Sequence, residues 1–306
     1  IHLVSESDLR LLNTVKRDLL PQNYEPREHY VAQRQIGNAG FSLNVESQLA
    51  LLRSFQKPDF QTLFQILRNN EEINISFGGR EHKSQGLIHN GYYPTPDAEI
   101  YAAMILSAKP DRIIEVGSGY STLIARATVG HIGLNCDIHI IDPQPRRDIE
   151  NIADHIEYKP VERSSLADIK FSKNTLLFID SSHVCRSEGD LPFLYCRILP
   201  MLPAGVLVHI HDIFLPFDYP DNYFKRFYTE EYLLHALLAH STKFEVVLAT
   251  HYLTREYREA MQAVFGPGVG EDPLFFGASF WMRSNEQSAE QGAAPDRYSA
   301  ALRSDR

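Results

Sequence analysis

From residue 110 onward, short apolar runs alternate with amphipathic stretches of helical length. The runs fall at 112–116, 138–142, 175–180, 206–211 and 244–249, with a weaker one at 156–161 and a last strand at 280–282. No other feature narrows the fold as much. Strands alternating with helices imply crossover units and a parallel sheet covered on both faces. The 306 residues leave room for one large domain, or one domain with a substantial appendage.

The first 75 residues read as mainly helical. Ser7 and Asp8 can cap a segment whose apolar positions Leu9, Leu12, Val15 and Leu19 follow helical spacing, ended by Pro21. Further helices are predicted over 45–55 and 60–67, and 77–96 reads as a loop rich in Gly, Pro and His, with a helix starting at Asp97. The expected organisation is a helical N-terminal cap or dimerisation arm over 1–95, an α/β domain over 96–284 and a disordered polar tail over 285–306. The apolar stripes Leu9, Leu12, Val15 and Leu49, Leu52, Phe55 need a surface to cover them, either the core or a second copy of the chain in a homodimer.

Composition excludes some partners. Lys and Arg total 30 against 39 Asp and Glu, a net charge of -9, which disfavours nucleic acid as the main partner. No apolar run approaches membrane-spanning length, so no membrane partner is expected. The start lacks the order of a secretory signal, and position 1 is Ile rather than Met, which leaves a removed leader or tag open. Cys136, Cys185 and Cys196 form no CxxC and cannot all pair, so a reduced, cytoplasmic setting is expected.

The strongest local signal is Ile113-Ile114-Glu115-Val116-Gly117-Ser118-Gly119-Tyr120-Ser121-Thr122, a strand running into a glycine turn and then a helix. A dinucleotide fingerprint needs a third Gly where Thr122 stands, and a phosphate-binding P-loop needs a Lys that is missing. What remains is E-x-G-x-G followed by a strand ending in Asp142-Pro143. A carboxylate at that place can accept two hydrogen bonds from ribose hydroxyls, and Glu115 can face the ammonium end of a ligand.

This pairing resembles the S-adenosylmethionine (SAM) site of class I methyltransferases. The runs Thr175 to His183 and Gly205 to Asp212, with D-x-x-H and H-D at their ends, resemble the fourth and fifth strands of the methyltransferase-24 group of small-molecule methyltransferases. The similarity covers about residues 90–283. It implies a Rossmann-like, mostly parallel sheet of seven strands, with SAM held by Glu115, Gly117, Ser118, Gly119, Tyr120, Ser121, Asp142, Pro143, Ser164, Ser165, Asp180, Ser182 and His183. The segment 92–97 is expected to fold over the methionine end.

Methyl transfer to a hydroxyl requires removal of its proton, by a base or by a metal that lowers its pKa. His183 is the expected base, with Asp180 and His211 beside it as catalytic residues. Asp180, His211 and Asp212 also form a mixed oxygen and nitrogen set that could hold Mg or another divalent ion. Plainer roles stay open. Asp180 could cap a helix, His183 could be loop structure, and His209 reads as a hydrogen-bonded core residue. The aromatic stretch 214–219 could line an acceptor pocket or plug the core. The alternatives to O-methylation are N-methylation without metal, a non-catalytic SAM-fold subunit, and an oxidoreductase, against which Thr122 counts.

Overall fold

The structure is a computed structural model and describes residues 36–69, 74–77, 80–83, 87–88, 90–145, 149–220, 223, 226–271 and 276–286. The helix expected over 9–19 and the tail beyond 286 lie outside the described residues. The described residues belong to one compact unit that begins at Ile36.

Seven strands make the central sheet: β3 (Arg112–Val116), β4 (Asp137–Ile141), β5 (His155–Glu157), β6 (Thr175–Ile179), β7 (Leu207–Ile210), β8 (Phe244–Ala249) and β9 (Phe280–Ser284). Their order is β5-β4-β3-β6-β7-β9-β8. The first five are parallel, and β9 runs antiparallel between β7 and β8. This is the expected Rossmann-like, mostly parallel sheet of seven strands. The weak run at 156–161 is a strand only over His155–Glu157, and Val161–Arg163 turns into a short 3-10 helix.

Residues 77–96 are not loop throughout. β1 (Asn74–Phe77) and β2 (Arg80–Lys83) pair antiparallel, with Phe77 opposite Arg80. A Gly-Gly pair between two extended runs is a hairpin signal that the overall Gly, Pro and His content obscured.

Period-two alternation along the strands divides the core into two layers. Ile113, Ile138, Ile140, Leu176, Phe178 and Trp281 face one layer, with α1 (Val45–Ser54), α2 (Pro58–Asn69), α3 (Asp97–Ala108) and α4 (Tyr120–His131) packed there. Ile114, Val116, Ile141, Leu177, Ile179 and Val208 face the other. That second face is covered by α5 (Asp190–Phe193), continued in π and 3-10 turns to Met201, and by α6 (Glu230–Leu238). The chain returns to the first layer through α7 (Thr250–Glu256) and α8 (Arg258–Phe265). Among the described residues no helix is long and apolar enough to cross a membrane.

Leu52 and Phe55 of the predicted stripe are buried in the first layer, together with Leu63, Phe64 and Leu67 of α2. Fully buried Gln48 ties α1 to the sheet. Its Oε1 accepts from the Ala249 N–H at 2.8 Å, and its Nε2 donates to the Leu43 carbonyl. Gln48→Leu keeps the volume and orphans both backbone groups. It should lower unfolding free energy by roughly 1–3 kcal/mol in a urea titration, with an unchanged slope.

Candidate functional site

The register of three strands builds the site. Val116 lies opposite Ile141 on one side and Ile179 on the other, so β4, β3 and β6 end level. The next residues are Asp142, Gly117 and Asp180. Gly117 takes φ +89, and a Cβ there would overlap the Asp180 carbonyl oxygen, so only glycine fits. Asp180 N–H bonds to the Val116 carbonyl at 2.9 Å and Gly117 N–H to that of Ile141 at 3.0 Å, which closes the turn.

Above these ends lies a cavity of about 720 Å³. Gly117, Ser118, Gly119, Tyr120, Ser121, Asp142, Pro143, Asp180, Ser182 and His183 all line it, as do His211 and Asp212. Asp142 is oriented by Ser118, whose Oγ donates to it at 2.6 Å, and by the Gln144 N–H at 2.8 Å. Of segment 92–97, Tyr92, Tyr93, Pro94 and Asp97 reach the wall.

Glu115 does not line the cavity. It is fully buried beneath the turn, accepting from Tyr101 Oη at 2.9 Å, Thr122 Oγ1 at 2.6 Å and Ser121 Oγ at 3.5 Å. Its role here is to tie the first turn of α4 to β3. Ser164 and Ser165 also lie off the wall. Ser164 bonds to its own loop, and Ser165 holds Glu157 of β5 through its N–H and its hydroxyl. Pro160, Val161 and Glu162 occupy the wall instead, because the 3-10 turn aims the serines back at the sheet edge.

His183 differs from its expected role as a base. Its ring is 3% exposed, with Nδ1 2.7 Å from Glu230 Oε2 and Nε2 3.1 Å from Asp180 Oδ1. Burial alone would lower its pKa. The hydrogen bonds and charges of Asp180 and Glu230 outweigh that and hold the ring as an imidazolium, well above 6.5. An imidazolium with both nitrogens donating has no lone pair to take a proton. Burial acts upward on Asp180 too, but His183 and His211 overcome it and keep its carboxylate well below the ordinary range. For His211, burial is likewise outweighed, by Asp97, Asp212 and Asp180, and its pKa rises to about 9.

Among the described residues no group of three or more His, Cys, Asp and Glu side chains is set to hold a metal ion. Asp212 Oδ1 accepts from Tyr223 Oη at 2.7 Å. Its Oδ2 faces His183 Nε2 at 3.7 Å and Arg226 Nη1 at 3.8 Å. His211 Nδ1 lies 3.9 Å from Asp180 Oδ1 and 3.7 Å from Asp212 Oδ1, so the expected ligands Asp180, His211 and Asp212 stand together, with His183 and Arg226 beside them.

His209 is a core residue, stacked on Phe178 at 4.1 Å, but neither ring nitrogen has a hydrogen-bond partner among the described residues. Burial, reinforced by His211, keeps it neutral. The stretch 214–219 is a plug: Phe214 and Phe217 are buried, and the wall takes Tyr223, Arg226, Tyr228 and Phe276 from later in the chain. These, with Arg186, Asp190 and Glu230, are the residues sequence reasoning missed. Asp190 holds Ser182 through its N–H at 2.6 Å and its Oγ at 2.7 Å.

No family model and no curated protein matches the chain. Solved structures give distant similarities. One is the SAH-bound Podospora anserina methyltransferase PaMTH1, at 14% identity and a TM-score of 0.40 over 94% of this chain and 99% of that one. Another is the O-methyltransferase from Bacillus cereus in complex with SAH, at 11% and 0.38 over 79% and 100%. A third, the cmcI-N160 structure with SAH, reaches 19% and 0.31, covering 41% of this chain and only 63% of the other. At such identities and TM-scores the likeness carries no argument, and the functional reading rests on the site.

Burial raises the Glu115 pKa from 4.5 to about 7 against the hydrogen bonds of Thr122 and Tyr101, with Asp180 adding to the rise. An acid with a raised folded pKa contributes stability below its unfolded value and loses it as pH rises through the folded one. The stability of the wild type relative to Glu115→Gln should therefore fall by about 3 kcal/mol from below pH 4.5 to above pH 7. Urea unfolding across that window tests this, and a flat difference would contradict the assignment.

Proposed function

We propose that the chain is a class I SAM-dependent methyltransferase acting on a hydroxyl of a small molecule. The observation that carries this reading is the convergence of the glycine turn, Asp142 and Asp180 on one cavity at the ends of adjacent parallel strands, where open α/β sheets bind ligands. The wall supports SAM over a dinucleotide. It holds Asp97, Asp142, Glu162, Asp180, Asp190 and Asp212 and no lysine among its described residues, a poor setting for a pyrophosphate. Thr122 uses its hydroxyl on Glu115 and on the Gly119 N–H, in the place of a third glycine.

When bound, SAM supplies a methyl group on a positively charged sulfur. In this reading the turn 117–121 lets backbone approach the ligand closely, and Asp142, held by Ser118 and Gln144, receives the ribose hydroxyls. Asp180 and Asp212 are the carboxylates available to take the acceptor's proton, while His183 and Glu230 orient Asp180.

Calorimetry should show SAM binding, and Asp142→Ala should weaken it by about 1.5–3 kcal/mol, the scale of hydrogen bonds involving a charged group. Unchanged affinity in that variant would remove Asp142 from the site.

A further inference from the structure

The charge on the cavity wall has a direction. Six carboxylates line it against Arg186 and Arg226, and they remain in excess even with His183 and His211 both counted as cations. Asp97 is bonded to the Ala278 and Ser279 N–H groups, Asp190 to Ser182 and Asp212 to Tyr223. Asp180 is different. Its side chain is 42% exposed, only Oδ1 is bonded to His183, and Oδ2 accepts no hydrogen bond among the described residues.

Its place in the sheet matters as much. Neighbouring strands lie about 4.8 Å apart, and the order across the site is β4, β3, β6. A ligand whose ribose sits at Asp142 on β4, and whose chain follows the glycine turn on β3, brings its sulfur toward Asp180 on β6. Glu115 cannot supply that charge, because it is sealed beneath the turn.

We propose that the site discriminates between cofactor and product by charge, with Asp180 binding the cationic sulfonium form more tightly than the neutral thioether. The inference rests on the methyltransferase reading and goes beyond it. On transfer, the sulfur–methyl bond breaks with its electron pair staying on sulfur, and the acceptor oxygen forms the new bond. The oxygen's proton passes to a wall carboxylate and then to solvent. The sulfur is left uncharged beside Asp180, the attraction is lost, and the spent cofactor leaves more readily than fresh cofactor.

Calorimetry with three probes tests this: SAM, S-adenosylhomocysteine (SAH) and sinefungin, which carries an ammonium-bearing carbon in place of the methylated sulfur. The wild type should bind SAM and sinefungin more tightly than SAH, on the order of tenfold, as expected for one partly screened charge pair. Asp180→Asn keeps the shape and an acceptor for His183. It should bring all three affinities together while leaving that for SAH nearly unchanged. SAH binding as tightly as SAM in the wild type, or a preference that survives Asp180→Asn, overturns the proposal. A wild type that binds none of the three overturns the methyltransferase reading itself.

Discussion

The register of β3 with its two neighbours is the constraint on which the site depends. Because Val116 is level with both Ile141 and Ile179, the three residues that follow emerge side by side. Gly117 then sits so close to the Asp180 carbonyl that no side chain can come between them. A slip of one residue in either pairing would turn Asp142 or Asp180 to the opposite face of its strand. The two core layers oppose such a slip, since it would also exchange the residues each strand offers to each layer.

Around that turn the chain brings several charged side chains together, some of them fully buried. Asp180, His183 and Glu230 form a line of acid, cation and acid that runs from the cavity wall into the core, with Tyr195 Oη donating to the outer carboxylate at 3.1 Å. Removing water from such groups is costly, and the cost is offset only where each charge keeps its partner. A histidine between two carboxylates is stabilised as a cation and withdrawn from proton uptake. The same line fixes the Asp180 side chain at the cavity floor, with one oxygen open to a ligand.

Much of this was legible in the sequence because it rests on local pattern. The five apolar runs mark strands because buried parallel strands must be apolar on both faces. E-x-G-x-G and Asp142 mark the turn because only glycine tolerates that backbone there. The helices α1, α2 and α3 follow from spacing and start signals in the same way, and so does the place of the cavity at the strand ends.

What tertiary structure alone decided is the environment of each charged group. Glu115 and Asp180 both end or follow an apolar strand. One is sealed by Tyr101 and Thr122, while the other opens to the cavity. His183 has an ordinary histidine pKa in any local reading. It becomes an imidazolium because Asp180 faces one ring nitrogen while Glu230, 47 residues away in sequence, is folded against the other. Tyr223 and Arg226 likewise meet Asp212 only through a loop whose path no periodicity encodes. Local sequence determines where strands, helices and turns lie, because those depend on near neighbours. Proton affinity depends on burial and on charges within a few ångströms, and the neighbours that supply them are set by the completed fold.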